Sequence, residues 1–166
     1  MGAILILLGS VQVLGFPPIP IPPGNATTMN IPVSIGGMLG GPLVGLILGL
    51  LYGIFSFIQD TTGLFKDPLV SILPRLFIGV VAYYVYALLM KRTNVWVAAG
   101  AGGAAGALTN SILVVTMLVV TNKLPASIVV GLIPVIIIEA VLGAIIGSAV
   151  VGAWMRAESG RGGSSV

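Results

Sequence analysis

The 166-residue chain has no cysteine and no histidine, and its only carboxylates are Asp60, Asp67, Glu139 and Glu158. These absences remove thiol nucleophiles, histidine general bases and the usual zinc sites, and no paired carboxylates exist to run acid–base chemistry. An enzyme is therefore not expected, and neither a metal nor a cofactor is called for. Charge is scarce too. Only 7% of the residues are charged, against about a quarter in a soluble domain. The seven Lys and Arg leave a net charge of +3 without any run dense enough for nucleic acid. No Gly-x-x-x-x-Gly-Lys-Ser/Thr occurs, so energy from ATP would have to come from another chain.

What fills the chain instead is hydrocarbon. A hydrophobic content of 57% and a mean hydropathy of +1.18 read as a polytopic, all-α membrane protein, with the lipid bilayer as its surroundings. The 24 glycines are spread among the apolar runs, which argues for closely packed helices. The pattern predicts a single six-helix transmembrane domain over 1–155, with helices at about 2–15, 31–40, 42–59, 69–90, 95–121 and 126–154, and a polar tail over 156–166. The first run is only fourteen residues long, against roughly 20 for a span, so that helix is short or begins upstream of Met1. Five prolines between residues 16 and 30 make an extended, stiff segment, either a lid over a site or a plain connector.

Residues 31–58 carry no formal charge over 28 positions, and one straight helix of that length would rise about 42 Å through a core of about 30 Å. A break is therefore expected at Gly36-Gly37 and Gly40-Gly41-Pro42. After it, Gly41, Gly45, Gly49 and Gly53 repeat every four residues and give one smooth face for a neighbouring helix. Small residues at Ala98, Gly102 and Gly106 do the same farther on and place Asn110 on their stripe. A third small pair, Gly143 and Gly147, follows Pro134 and Glu139.

The polar exceptions matter most. Arg75 opens an otherwise apolar or aromatic run to Met90, and a guanidinium is costly to leave in hydrocarbon. It either snorkels to a headgroup or faces a ligand; Pro74 before it suits a helix's first turn and helps set the direction of that turn. Lys91, Arg92, Arg156 and Arg161 share one side, against Lys66 and Lys123 on the other, so the first side reads as cytoplasmic and both termini with it. On that topology Arg75 lies roughly 9 Å below the outer end of its helix, Asn110 roughly 16 Å and Glu139 roughly 20 Å. Arg75 suits a carboxylate or phosphate, and Asn110 an amide or hydroxyl, although a lone intramembrane Asn also serves as packing glue. Glu139 is a candidate counter-ion for Arg75. A pocket open to the outside is expected.

The ordered series Thr28-Met29-Asn30-Ile31-Pro32-Val33, Gly36-Gly37, Gly41-Pro42-x-x-Gly45-x-x-x-Gly49, Asp67-Pro68-Leu69-Val70-Ser71-Ile72-Leu73-Pro74-Arg75, Ile78-Gly79-x-x-Ala82-Tyr83 and Leu108-Thr109-Asn110 resembles the substrate-binding S component of energy-coupling factor (ECF) vitamin transporters. The resemblance runs over about 3–150 and is strongest to the pantothenate- and cobalamin-type branch. It implies a six-helix S-component fold in a prokaryotic plasma membrane, and a site near the outer face closed by the loop after the first helix. It further implies a shared module of one EcfT-like coupling protein and two ATPase subunits. In pantothenate-type members the arginine and asparagine matching Arg75 and Asn110 contact the ligand, and the substrate-binding set taken from the resemblance is Arg75, Asn110, Asn30, Thr28, Pro74 and Tyr83. Members usually carry a histidine where this chain has Asn30. They also present small residues four apart on the first helix, whereas here Ala3 is followed by Leu7. The function implied is capture of a small, anionic vitamin outside the cell for ATP-driven uptake. The alternative is a stand-alone facilitator or secondary transporter, whose hallmark of two related halves is not seen.

Overall fold

The computed structural model describes residues 28–60 and 63–161. The helix expected over 2–15 and most of the proline-rich segment lie outside them. The described residues form helices and no strand: α1 (Asn30–Gly40), α2 (Pro42–Ile58), α3 (Pro68–Ser71), α4 (Leu73–Met90), α5 (Val95–Val120) and α6 (Ala126–Arg161).

Helix α1 has eleven residues, about 16 Å, too little to cross a bilayer. It ends because Gly41 takes φ 91° and ψ 175°, a backbone open essentially to glycine alone, and Pro42 then starts α2 with its φ already set. The Gly41 N–H still donates to the Gly37 carbonyl at 2.9 Å, so the break leaves that donor satisfied inside the membrane. Helices α2, α4, α5 and α6 stand in a row in chain order, each touching the next, and α1 packs against the row in contact with all four. That central position explains why Asn30 and every residue from Pro32 to Met38 are buried.

Glycine seams hold the row together. A Cβ on Gly45 would lie 2.7 Å from the carbonyl carbon of Gly79, and one on Gly53 would lie 2.8 Å from the Ile72 Cα; Gly49 meets the Arg75 carbonyl in the same way. Gly45 and Gly49 thus seat α2 directly on the backbone of α4 and Gly53 on Ile72 just before it, while Gly41 makes the turn. Gly103 and Gly143 form the matching seam between α5 and α6, where a Cβ on Gly143 would come within 2.7 Å of the Gly103 carbonyl oxygen. Lipid tails are as apolar as leucine, so such close backbone contact is what gives helix association its energy here.

The outer surface is hydrocarbon. Leu43, Ile58 and Val130 are each 70% exposed, a distribution that suits lipid and not water. Three helical stretches are long and apolar enough to cross a membrane, Pro68–Met90, Val95–Val120 and Ser127–Ser159, and Pro42–Ile58 is a shorter apolar helix. The chain is a multi-pass membrane protein.

Two expectations need correction. The stretch 69–90 is not one helix: α3 is a single turn, and α4 begins at Leu73 with Pro74 in its first turn. Pro74 has no N–H to continue the α3 ladder and disfavours helical geometry in the residue before it. Arg75 therefore stands at the head of a helix and not six residues inside one. At the other end, α6 runs to Arg161, so residues 156–161 of the expected tail are helical. Ala157 and its charged neighbours Arg156 and Glu158 present no helix breaker, and the Ser159 hydroxyl donates to the Met155 carbonyl at 2.9 Å.

Candidate functional site

Arg75 is 2% exposed, and its guanidinium turns inward. One terminal nitrogen, Nη1, donates to the Val70 carbonyl, and Nη2 donates to Ser56 Oγ at 3.3 Å. The charged carbon lies 5.5 Å from the centre of the Tyr52 ring and 4.9 Å from that of Phe65. The snorkelling alternative is thereby removed: this cation is clamped between two aromatic faces, where cation–π attraction offsets part of its desolvation. The local sequence builds the clamp. Asp67 accepts from the Leu69 N–H at 3.0 Å and so caps α3, which aims the Val70 carbonyl at the guanidinium. The Phe65 N–H donates to Asp60 Oδ2 at 3.0 Å and Ser71 Oγ donates to the Phe65 carbonyl, which fixes the loop that carries the second ring. Lys123, from the turn between α5 and α6, reaches the Leu64 carbonyl at 3.4 Å and Asp67 at 3.8 Å.

The two asparagines are brought level by helix register. A Cβ on Gly102 would meet Met38, and one on Gly106 would meet Ser34, so α5 runs antiparallel to α1 with these pairs side by side. One further turn along each helix places Asn110 beside the level of Asn30. Ala82 of α4 packs at the height of Gly102 and Gly106, and Arg75 lies two turns beyond it toward the same end. Three of the six predicted residues, Asn30, Asn110 and Arg75, thus gather at the α3 end of the row.

Each is buried and each has polar atoms to spare. Asn30 Oδ1 and Nδ2, Asn110 Oδ1 and Arg75 Nε find no hydrogen-bond partner among the described residues. Asn30 is 2% exposed and Asn110 3%. Leaving such an atom unpaired costs about 1–3 kcal/mol, so four of them in one region call for a partner beyond the described residues. Beside them a narrow crevice, too tight to hold a water molecule, runs between α1, α5 and α6, lined by Asn30, Ser34, Gly103, Ala107, Gly143 and Gly147 among others.

The remaining predicted residues play other parts. Pro74 is fully buried in the first turn of α4, where it sets the direction of Arg75. The Thr28 carbonyl accepts from the Ile31 N–H at 3.2 Å and closes the first turn of α1. Tyr83 is not brought to the cluster: it is eight residues past Arg75, about 12 Å along the axis, and packs edge-on against the exposed Tyr84 with ring centres 5.4 Å apart. Sequence reasoning missed Tyr52, Ser56 and Phe65. The first two were within reach, since they lie on the buried glycine face of α2, whereas nothing periodic marks Phe65. Glu139 is half-buried, and Ser111 Oγ donates to its Oε2 at 2.7 Å.

Chemically, the arrangement offers one fixed cation and two carboxamides in a water-poor setting. A family model described as the substrate-specific component of ECF transporters matches residues 1–151. The curated proteins contain no match to the chain.

Proposed function

The chain belongs to the substrate-specific components of ECF transporters, and from that premise we propose that it captures a small anionic vitamin, pantothenate or a close relative, on Arg75, Asn110 and Asn30. Membership makes it a transport subunit and not an enzyme, one that binds a small substrate and works with an ECF module of T and ATPase subunits. In our reading the α3 end of the row faces the outside of a prokaryotic plasma membrane and both termini face the cytoplasm, as the Lys and Arg distribution favours. One coupling protein and two ATPases then drive release inward.

The observation that carries the ligand class is the set of unpartnered, buried polar atoms on those three residues. Arg75 uses its terminal nitrogens on Val70 and Ser56, while its buried Nε has no partner among the described residues and is left for a carboxylate. Asn110 and Asn30 each offer a carboxamide to the amide or hydroxyl groups of the same ligand. A vitamin-sized guest needs about 300 Å³ or more, so α1, α5 and α6 part along this closed crevice as it enters.

Calorimetry on the purified chain, run with pantothenate, cobalamin and other vitamins, tests this reading. Tight binding of a carboxylate vitamin that disappears in Arg75→Ala is expected. Binding of a cationic or uncharged vitamin alone, or unchanged affinity in Arg75→Ala, would retire it. Co-purification with T and ATPase subunits separates ATP-driven uptake from a stand-alone facilitator.

A further inference from the structure

The unassigned carboxylate Glu139 belongs to the same end of the bundle. On α6 it lies one turn before Gly143 and two before Gly147, and on α5 its partner Ser111 lies one turn after Ala107 and two after Gly103. Gly103, Ala107, Gly143 and Gly147 all line the crevice, so Ser111 and Glu139 continue its two walls toward Asn30 and Asn110. The bond between them, 2.7 Å from Ser111 Oγ to Glu139 Oε2, has the length of a hydroxyl donating to a carboxylate and fixes where the acid points.

From this juxtaposition we infer that Glu139 is a specificity residue: it admits a ligand with a single carboxylate at the Arg75 end and a neutral, hydrogen-bond-donating far end, and it rejects a second negative charge. The inference rests on the binding role proposed above. Before the ligand enters, one buried cation and one carboxylate balance. A monoanion that pairs with Arg75 leaves one negative charge in excess. A dianion would add a second negative charge to a site that already holds Glu139, in a medium where like charges are poorly screened. A hydroxyl or amide N–H arriving there instead meets an acceptor, since an ionised carboxylate has capacity for several donors.

The test compares two probes, pantothenate and its 4′-phosphate, which share the carboxylate and differ by a phosphate at the far end. Calorimetry on the full chain in lipid nanodiscs should show the phosphate binding at least about tenfold more weakly. Glu139→Gln should close most of that gap, while Glu139→Asp keeps it. Equal affinities in the wild type overturn the inference, even if no variant folds, and so does a gap that survives Glu139→Gln in protein with a wild-type gel-filtration profile. If pantothenate itself does not bind, the vitamin assignment fails on its own. The charge rule is then read from thermal stabilisation by matched mono- and dicarboxylates of equal chain length: preference for the monoanion supports it, and preference for the dianion, or no effect of either, overturns it.

Discussion

Arg75 can be separated from a merely structural arginine by two substitutions that divide its charge from its shape. Arg75→Met keeps most of the volume between Tyr52 and Phe65 but removes the cation, the bonds to Val70 and Ser56, and the unpaired Nε. For the ligand-free protein these losses oppose each other: the Val70 carbonyl goes unpaired at a cost of about 1–3 kcal/mol, while a desolvated ion that costs several kcal/mol to bury disappears. The ligand-free melting temperature should therefore change little or rise. Binding should not survive, because truncating one partner of a buried charged pair costs about 2–5 kcal/mol, roughly 30-fold to several thousand-fold in Kd. Arg75→Lys keeps the charge but loses the planar fork, and should fall between, about 10- to 150-fold weaker, by the worth of one hydrogen bond to a charged group. Calorimetry with pantothenate and a thermal melt in the same detergent read both quantities. A large drop in melting temperature for Arg75→Met together with affinity within threefold of wild type would refute the reasoning, since the arginine would then be holding the fold and not the ligand.

The same logic makes Asn110→Leu harmless or stabilising to the ligand-free protein, because it removes an unpartnered buried oxygen, yet at least tenfold weaker in binding; paired melts and calorimetry decide. Gly49→Ala places a methyl on the Arg75 backbone and should cost about 1–3 kcal/mol or more in thermal or denaturant unfolding, whereas Gly131→Ala, with nothing within 4 Å, should be neutral or gain up to about 1 kcal/mol of helix propensity. Asp67→Ala should destabilise by about 1 kcal/mol through loss of the α3 cap. Lys123→Ala removes a half-exposed ion pair and should change stability by less than about 1 kcal/mol, with an effect that vanishes in high salt.

Much of this arrangement is legible in the sequence wherever a residue type has few physical uses. Gly-Gly-Pro at 40–42 permits one outcome inside an apolar run, and glycines four apart mark a contact face whichever helix they meet. A lone arginine in such a chain announces a site. The site's surroundings are less legible, because they depend on which loop folds back over the charge. Phe65 and the Val70 carbonyl reach Arg75 through a capped single turn that no periodicity announces, and the place of Pro74 in a helix does not by itself reveal the break it imposes before it. Tyr83 illustrates the opposite case: a motif places it in the chain beside Ala82, but its angle around α4 turns it from the face that carries Arg75, Ile78 and Ala82. Ser111 shows the remaining gap, since a serine in a membrane helix gains meaning only from the carboxylate opposite.

The length of α6 sets how this protein sits in its surroundings. Thirty-six residues make a rod of about 54 Å, and a slab of oil about 30 Å deep leaves some 24 Å of it, four to five turns, for the water on either side when it stands upright. The rod is thus a mast, and a thicker or thinner bilayer shifts the waterline along it without unseating the glycine joints below.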